Sequence, residues 1–301
     1  MEIIPYRLYT VPLFCLLFLG HFVSGQLDYN FYDHSCPNLT GIVRNGVASA
    51  VAKETRMAAS LCAYTSMIGC DASILLDESS AFKGEKNALP NRNSVRGFEV
   101  IDAIKADVER ACPSTVSCAD ILTLAVREAI YLVGGPFWLV AMGRRDGLTA
   151  NETAANEQLP SPIEPLENIT AKFTSKGLTL KDVVVLSGAH TIGFAQCFTF
   201  KSRLFNFDNT GNPDPTLDAS LLQSLQQICP NQADSNTNLA PLDSSDQALM
   251  GDNRTAPMVM LYNRLPYLFA SAFKTSMVKM SYIGVLTGHD GEIRKNCRVV
   301  N

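Results

Sequence analysis

Zinc ligands are scarce in this sequence: it has four histidines and no Cys-x-x-Cys pair, so a structural zinc site lacks its donors. Basic excess is missing too. The 25 Lys+Arg are outnumbered by 29 Asp+Glu, the net charge is −4, and no long basic block occurs. Nucleic-acid binding by counterion release is therefore not expected. No apolar run approaches the roughly 20 residues that a membrane span requires. Alternating strand patterns of useful length and internal repeats are both missing. The Pro/Gly/Asn-rich linkers at 89–93, 159–162 and 208–215 are too short to force a domain boundary. What is present is a chain of 301 residues, 47% apolar and 18% charged, enough to bury a sizeable core.

The first 25 residues read as a secretory signal, with Arg7 near the start, an apolar run over 11–19, and small residues at Val23-Ser24-Gly25. The remainder, 26–301, is expected to form one domain. Of nine cysteines, Cys15 leaves with the signal. The other eight are Cys36, Cys62, Cys70, Cys112, Cys118, Cys197, Cys229 and Cys297. An even count in a secreted chain points to disulfides, and counting alone leaves their connectivity open. Sequons at Asn38, Asn151, Asn168 and Asn253 are candidate glycosylation sites.

Helical periodicity dominates. Ile42, Val43, Val47 and Val51 form one stripe, and Val100, Ile101, Ile104 and Val108 a second. Ile121, Leu122, Ala125 and Ile130 form a third, stopped by Gly134-Gly135. Leu221, Leu222, Leu225 and Ile228 form a fourth, and Leu268, Phe269, Ala272, Phe273 and Met280 a fifth. The fold class is mainly α, stapled by disulfides. The most informative segment is 178–193. Thr179 and Asp182 have the spacing of a capping box. The helix that starts there is expected to run to Gly193, with Val183, Leu186 and His190 on one buried stripe. Gly188 permits close approach of a large flat object. A lone histidine on an apolar face is more often a core residue than a ligand, yet a neutral imidazole aimed into an apolar pocket also suits axial iron ligation.

The surrounding motifs decide between these. Asn30-Phe-Tyr-Asp-His-Ser-Cys-Pro37, Arg56-Met-Ala-Ala-Ser-Leu61, Gly69-Cys-Asp-Ala-Ser-Ile-Leu-Leu-Asp77 and Gly84-Glu-Lys-Asn87 come first. Arg96-Gly-Phe-Glu-Val-Ile-Asp102, Val116-Ser-Cys-Ala-Asp-Ile-Leu122, Gly143-Arg-Arg-Asp146, Leu186-Ser-Gly-Ala-His-Thr-Ile-Gly193 and Gly291-Glu-Ile-Arg-Lys-Asn-Cys297 follow in order. With these segments the chain resembles the secreted plant haem peroxidases (class III) over essentially its whole mature length. The resemblance implies the all-helical haem peroxidase fold, with haem b between a distal and a proximal half. His190 would be the axial ligand, Arg56 and Ser60 would contact a haem propionate, and Asn91 would support a distal histidine. Gly69, Asp71, Ser73 and Glu85 would hold a distal Ca²⁺, and Thr191 and Asp243 a proximal one. Cysteines would pair as Cys36–Cys112, Cys118–Cys297 and Cys197–Cys229. The implied reaction reduces H2O2 and oxidises phenolic donors by one electron. A monomer outside the cell or in the cell wall is expected, with the vacuole an alternative, and with neither nucleic acid nor membrane as partner.

The chain also departs from that family. Where the family reads Leu-Arg-Leu-His-Phe-His-Asp-Cys-Phe-Val-Asn-Gly-Cys-Asp, this sequence has only Cys62-Ala-Tyr-Thr-Ser-Met-Ile-Gly-Cys-Asp71. Ala63 stands at the distal arginine and Met67 at the distal histidine. Met67 is either a second axial ligand or, more commonly for methionine, packing. The family's aspartate that ligates distal calcium is lost with the first gap, and a second gap follows Asp243, so both calcium sites are expected to be weakened. Ala256 falls at the carboxylate behind the axial histidine, with Asp252 nearby, and Ala141 at the family's substrate-site proline. Cys62 is the spare partner for Cys70, although in a continuous helix their Cα atoms would lie about 12 Å apart, too far for a disulfide. Losing the acid-base group costs roughly 10²- to 10⁴-fold in rate, and losing the arginine adds an electrostatic penalty. The alternatives to an active peroxidase are thus a haem-binding but impaired relative and a non-enzymatic product without haem.

Overall fold

The computed structural model describes residues 26–66, 70–92, 94–161, 164–241 and 248–301. The signal segment, Met67, Gly69 and Asp243 fall outside the described residues.

Helix α1 (Leu39–Lys53) buries Leu39, Val43 and Val47, four residues apart on one face. The short α2 (Met57–Cys62) follows and passes into a 3-10 turn, Ala63–Ser66. Helix α3 (Phe98–Ala111) buries Ile101, Ile104 and Val108. Its entry at Gly97 has φ +92°, and a Cβ there would lie 2.7 Å from Met57 Sδ, so the chain tolerates only glycine at this crossing. Helix α4 (Cys118–Leu132) is the central rod, buried from Cys118 to Ile130 and packed against α1, α2 and α3. Ser117 caps its start by accepting from the Asp120 amide, and it gives way to Gly134 with φ +90°.

The second half is built mostly from shorter helices. Its helices are α5 (Glu152–Gln158), α6 (Leu166–Thr174), α7 (Leu180–Ser187), α8 (Lys201–Phe205), α9 (Ala219–Ile228), α10 (Ala248–Gly251), α11 (Ala256–Arg264) and α12 (Pro266–Met280), the last as long as α1 and α4. Two three-residue strands, β1 (Phe194–Gln196) and β2 (Leu239–Pro241), pair antiparallel with Ala195 opposite Ala240. One main core joins α1–α4 to Val185 of α7 and to Ala272, Phe273 and Met277 of α12. A satellite core under β1 and β2 holds Phe200, Leu204, Leu225 and the Cys197–Cys229 bridge. The five periodic stripes therefore fall on α1, α3, α4, α9 and α12.

Disulfides Cys36–Cys112, Cys118–Cys297 and Cys197–Cys229 are present. The tentative Cys62–Cys70 bridge is not: both residues are thiols. Cys62 ends α2 inside the core, whereas Cys70 is drawn toward the end of α12. Its amide donates to Ile283 O at 2.9 Å, and its Sγ lies 3.2 Å from Met280 O. Burial pushes the Cys62 thiol up to about 12 and the Cys70 thiol up to about 11, which keeps both protonated and poorly nucleophilic.

The Gly143-Arg-Arg-Asp146 motif is a structural clamp. Asp120, fully buried on α4, accepts from Tyr32 Oη at 2.8 Å, from the Gly143 amide at 2.7 Å and from Arg144 Nη1 at 3.0 Å. Arg144 in turn donates to Ser281 O after α12 at 2.7 Å. Asp146 accepts from the Cys118, Ala119 and Arg294 amides, so one carboxylate caps α4 and fixes the C-terminal segment. A buried ionic network of this kind is tolerable because its lone pairs are matched by donors.

Candidate active site

The capping box at the start of α7 is formed as the sequence suggests. Thr179 Oγ1 accepts from the Asp182 amide, and the Thr179 amide donates back to Asp182 Oδ2 at 2.8 Å. Asp182 also binds α12, accepting from Ser276 Oγ at 2.7 Å and from Lys279 Nζ at 2.9 Å. Burial alone would raise its carboxyl, but donors from Lys279, Ser276 and Thr179 outweigh that and hold it down at about 2. The sequence gives the cap; the reach to α12 is missed, because Ser276 and Lys279 lie nearly a hundred residues away.

The far end of α7 differs from expectation. The α-helix stops at Ser187, and Gly188–Thr191 forms a 3-10 turn. Thr191 Oγ1 donates back to Gly188 O at 2.9 Å, a local bond that competes with the α-helical ladder. The tighter winding turns His190 off the Val183–Leu186 stripe. Val183 is buried, while Leu186 and His190 are half-buried. Gly193, with φ +112°, closes the whole segment rather than the α-helix. The flat object against Gly188 is the Phe269 ring of α12, two of whose atoms lie within 2.6 Å of where a Cβ would stand.

Arg56 and Ser60 lie on or beside α2. The Arg56 guanidinium sits 4.8 Å from the centroid of the Phe194 ring, which ties the distal helix to the strand that follows His190. Ser60 Oγ donates to Arg56 O at 3.3 Å. Asn91 is buried; its Nδ2 donates to Glu85 O at 2.9 Å, and its Oδ1 has no partner among the described residues. Ala63 opens the 3-10 turn after α2 and brings no polar group. The other described histidines, His34 and His289, are exposed.

Three of the four expected distal calcium residues converge. Asp71 Oδ1 accepts from the Ser73 amide at 3.0 Å. Its Oδ2 lies 2.5 Å from where a Cβ on Gly147 would be, so the carboxylate occupies a cradle that only glycine leaves open. Glu85 is buried and accepts from the Asn151 amide at 3.3 Å. Burial, with the Asp71 charge added, pushes its carboxyl up, while the Ser73 hydroxyl and the Asn151 amide pull it down. A half-buried acid, a buried acid and a buried hydroxyl are a donor set that suits Ca²⁺. On the proximal side only Thr191 is described, and it is exposed. Asp252, the carboxylate near Ala256, is engaged by Arg254 at 2.6 Å, which holds it down at about 2. Ala141 is buried, and its carbonyl accepts from Arg144 Nη1.

Two cavities stand out among the described residues, of about 280 Å³ between α7, α11 and α12 and about 190 Å³ between α1 and α4. His190 lines neither.

A disulfide-stapled helical fold, with a half-buried imidazole at the end of a capped helix and an acidic cradle on the opposite half, defines a haem-peroxidase-like protein. Comparison with known sequences makes this specific: the family described as Peroxidase matches residues 43–264, and the chain belongs to the peroxidase family. It is 56% identical to "Peroxidase 10" of Arabidopsis thaliana over 303 residues, covering 91% of this chain and 87% of that one. It is 49% identical to "Peroxidase N" of Armoracia rusticana over 321 residues, covering 97% of this chain and 96% of that one. The chain is thus a haem peroxidase of the secreted plant type, an oxidoreductase, and the family implies haem and calcium as cofactors and H2O2 with phenolic donors as substrates. With 91% of 301 residues being about 274, about 29 of the 303 positions aligned to the Arabidopsis relative have no residue here. No described helix is long and apolar enough to cross a membrane.

Proposed function

We propose that the chain, after losing residues 1–25, acts outside the cell as a monomer that binds haem b through His190. The observation that carries this is the half-buried His190 in the turn that follows α7, a helix anchored at its start by the reciprocal cap at Thr179–Asp182 and by the ties from Asp182 to α12. Bound haem supplies the redox centre at which peroxide takes up electrons drawn from phenolic donors. The protein's part is to present the imidazole, to offer Arg56 and Ser60 to the propionates, and to keep Asp71, Ser73 and Glu85 ready for Ca²⁺, with Gly69 completing that set. Thr191 and Asp243 would form the proximal calcium site, and both calcium sites would be weaker than in the family.

A second reading concerns rate. The comparisons do not favour an impaired enzyme over an active one, but Oδ1 of Asn91 is a buried acceptor for which no described residue supplies a donor. With Ala63 at the arginine place and Met67 at the histidine place, proton transfer to the leaving oxygen lacks its side chain. Turnover should then fall roughly 10²- to 10⁴-fold below a relative that keeps the histidine. The test is purification from a eukaryotic secretory host, with the Soret absorbance per protein and guaiacol oxidation measured together. A Soret band lost in His190→Ala supports the axial role. A band that survives that substitution refutes it, and guaiacol turnover equal to an intact relative refutes the impaired reading.

A further inference from the structure

We propose that the cavity between the N-terminal segment, α1 and the end of α4 binds a small aromatic carboxylate, a single ring bearing one anionic group. The cavity holds about 190 Å³ and is lined by Tyr29, Arg44, Leu124, Arg127, Phe137 and Leu139 among others. None of its lining residues belongs to the haem or calcium sites described above.

Charge sets the first requirement. Glu128 is fully buried on α4 and pairs with both Arg44 (Nε–Oε2 2.8 Å) and Arg127 (Nη2–Oε1 2.7 Å). No residue lining the cavity is acidic, so two guanidiniums face one carboxylate and one positive charge is left over. Arg127 is only 3% exposed. It donates to Trp138 O at 2.9 Å and lies 4.5 Å over the Phe137 ring. Its Nε has no partner among the described residues, a state that is costly in a buried cation. Arg44 is about half exposed, with Nε and Nη2 on Glu128. Its Nη1 makes no hydrogen bond among the described residues and is the donor available to an incoming anion.

Shape and apolarity set the second. The rim carries Tyr29, Phe137, Leu139 (62% exposed) and Tyr131, and Tyr131 meets Phe137 edge-to-face at 5.5 Å. Large apolar side chains grouped on a surface mark a contact site more often than chance exposure. The volume lies below the ~300 Å³ where drug-sized pockets begin, which restricts the occupant to one ring. An inorganic anion would answer the guanidinium but leave the aromatic wall in water. A neutral aromatic would do the reverse.

The chain's single tryptophan, Trp138, lies between the lining residues Phe137 and Leu139 and reports on the site. The full secreted protein is titrated with benzoate while Trp138 fluorescence and the Soret band are followed. We expect a saturable fluorescence change with the Soret band unmoved. Benzamide should bind at least about tenfold more weakly, because a charge-assisted bond is lost. Arg44→Gln, a half-exposed position, should bring benzoate down to the benzamide level. The proposal is overturned by absence of saturation, by equal benzoate and benzamide affinity, by full benzoate affinity in Arg44→Gln, or by sulfate competing as strongly as benzoate.

Discussion

Replacing Asp182 by alanine tests whether the imidazole turn is held from a distance. The substitution removes the reciprocal cap, worth about 1 kcal/mol. It also strips the buried Ser276 hydroxyl of its acceptor, costing about 1–3 kcal/mol. Lys279 is 44% exposed, so its share is at most about 1 kcal/mol after solvent screening. Together these give about 2–5 kcal/mol, or roughly 4–20 °C in Tm for a domain of this size. Acid dependence gives an independent check. The folded carboxyl sits at about 2, below the ordinary value of about 3.9 for an unfolded aspartate. Its stabilisation is therefore complete above the unfolded value and is lost as pH falls toward the folded one. The wild type should lose stability between about pH 5 and pH 2, and Asp182→Ala should lose less over the same window. Thermal melts across pH, with Soret absorbance per protein as the readout of His190, measure both. A Tm within about 2 °C of wild type at pH 7, or an identical acid limb, would refute the reasoning.

Three other outcomes follow from the fold. Cys118→Ser with Cys297→Ser opens a loop of 179 residues and should cost about 5 kcal/mol, read as a fall in the urea midpoint of folded protein. Glu85→Gln should raise Tm in chelator at pH 7, because the raised carboxyl means the buried charge is a penalty once pH exceeds the unfolded value; the same variant should abolish the Tm increase on adding Ca²⁺, and a retained increase would remove Glu85 from the site. Asp120→Asn, which leaves the fully buried Arg144 uncompensated, should cost about 3–5 kcal/mol, whereas Arg254→Ala at the exposed Asp252–Glu167 cluster should stay within about 0.5 kcal/mol; equal losses in denaturant melts would contradict the burial argument.

The apolar spacing along α1, α3, α4, α9 and α12, the Thr179–Asp182 cap and the ordered family motifs were legible in the chain, because each is a local pattern that repeats with the helix period or sits within a few residues. Three of the disulfides and the family followed from resemblance rather than from local physics. Other features depended on contacts between distant residues. The 3-10 turn that swings His190 off its stripe answers to Thr191 and to Phe269 packed on Gly188, and Cys70 is claimed by carbonyls at and just past the end of α12 rather than by Cys62. The pairing of Arg127 and Glu128 on α4 with Arg44 on α1 was likewise not legible, because scattered charges on helices read as solvated faces until the helices are packed. Periodicity is written in neighbouring residues, so the amino-acid order alone sets which faces are apolar; which charge meets which, and how deep an imidazole sits, depends on the helices brought against it, and only the assembled core settles that.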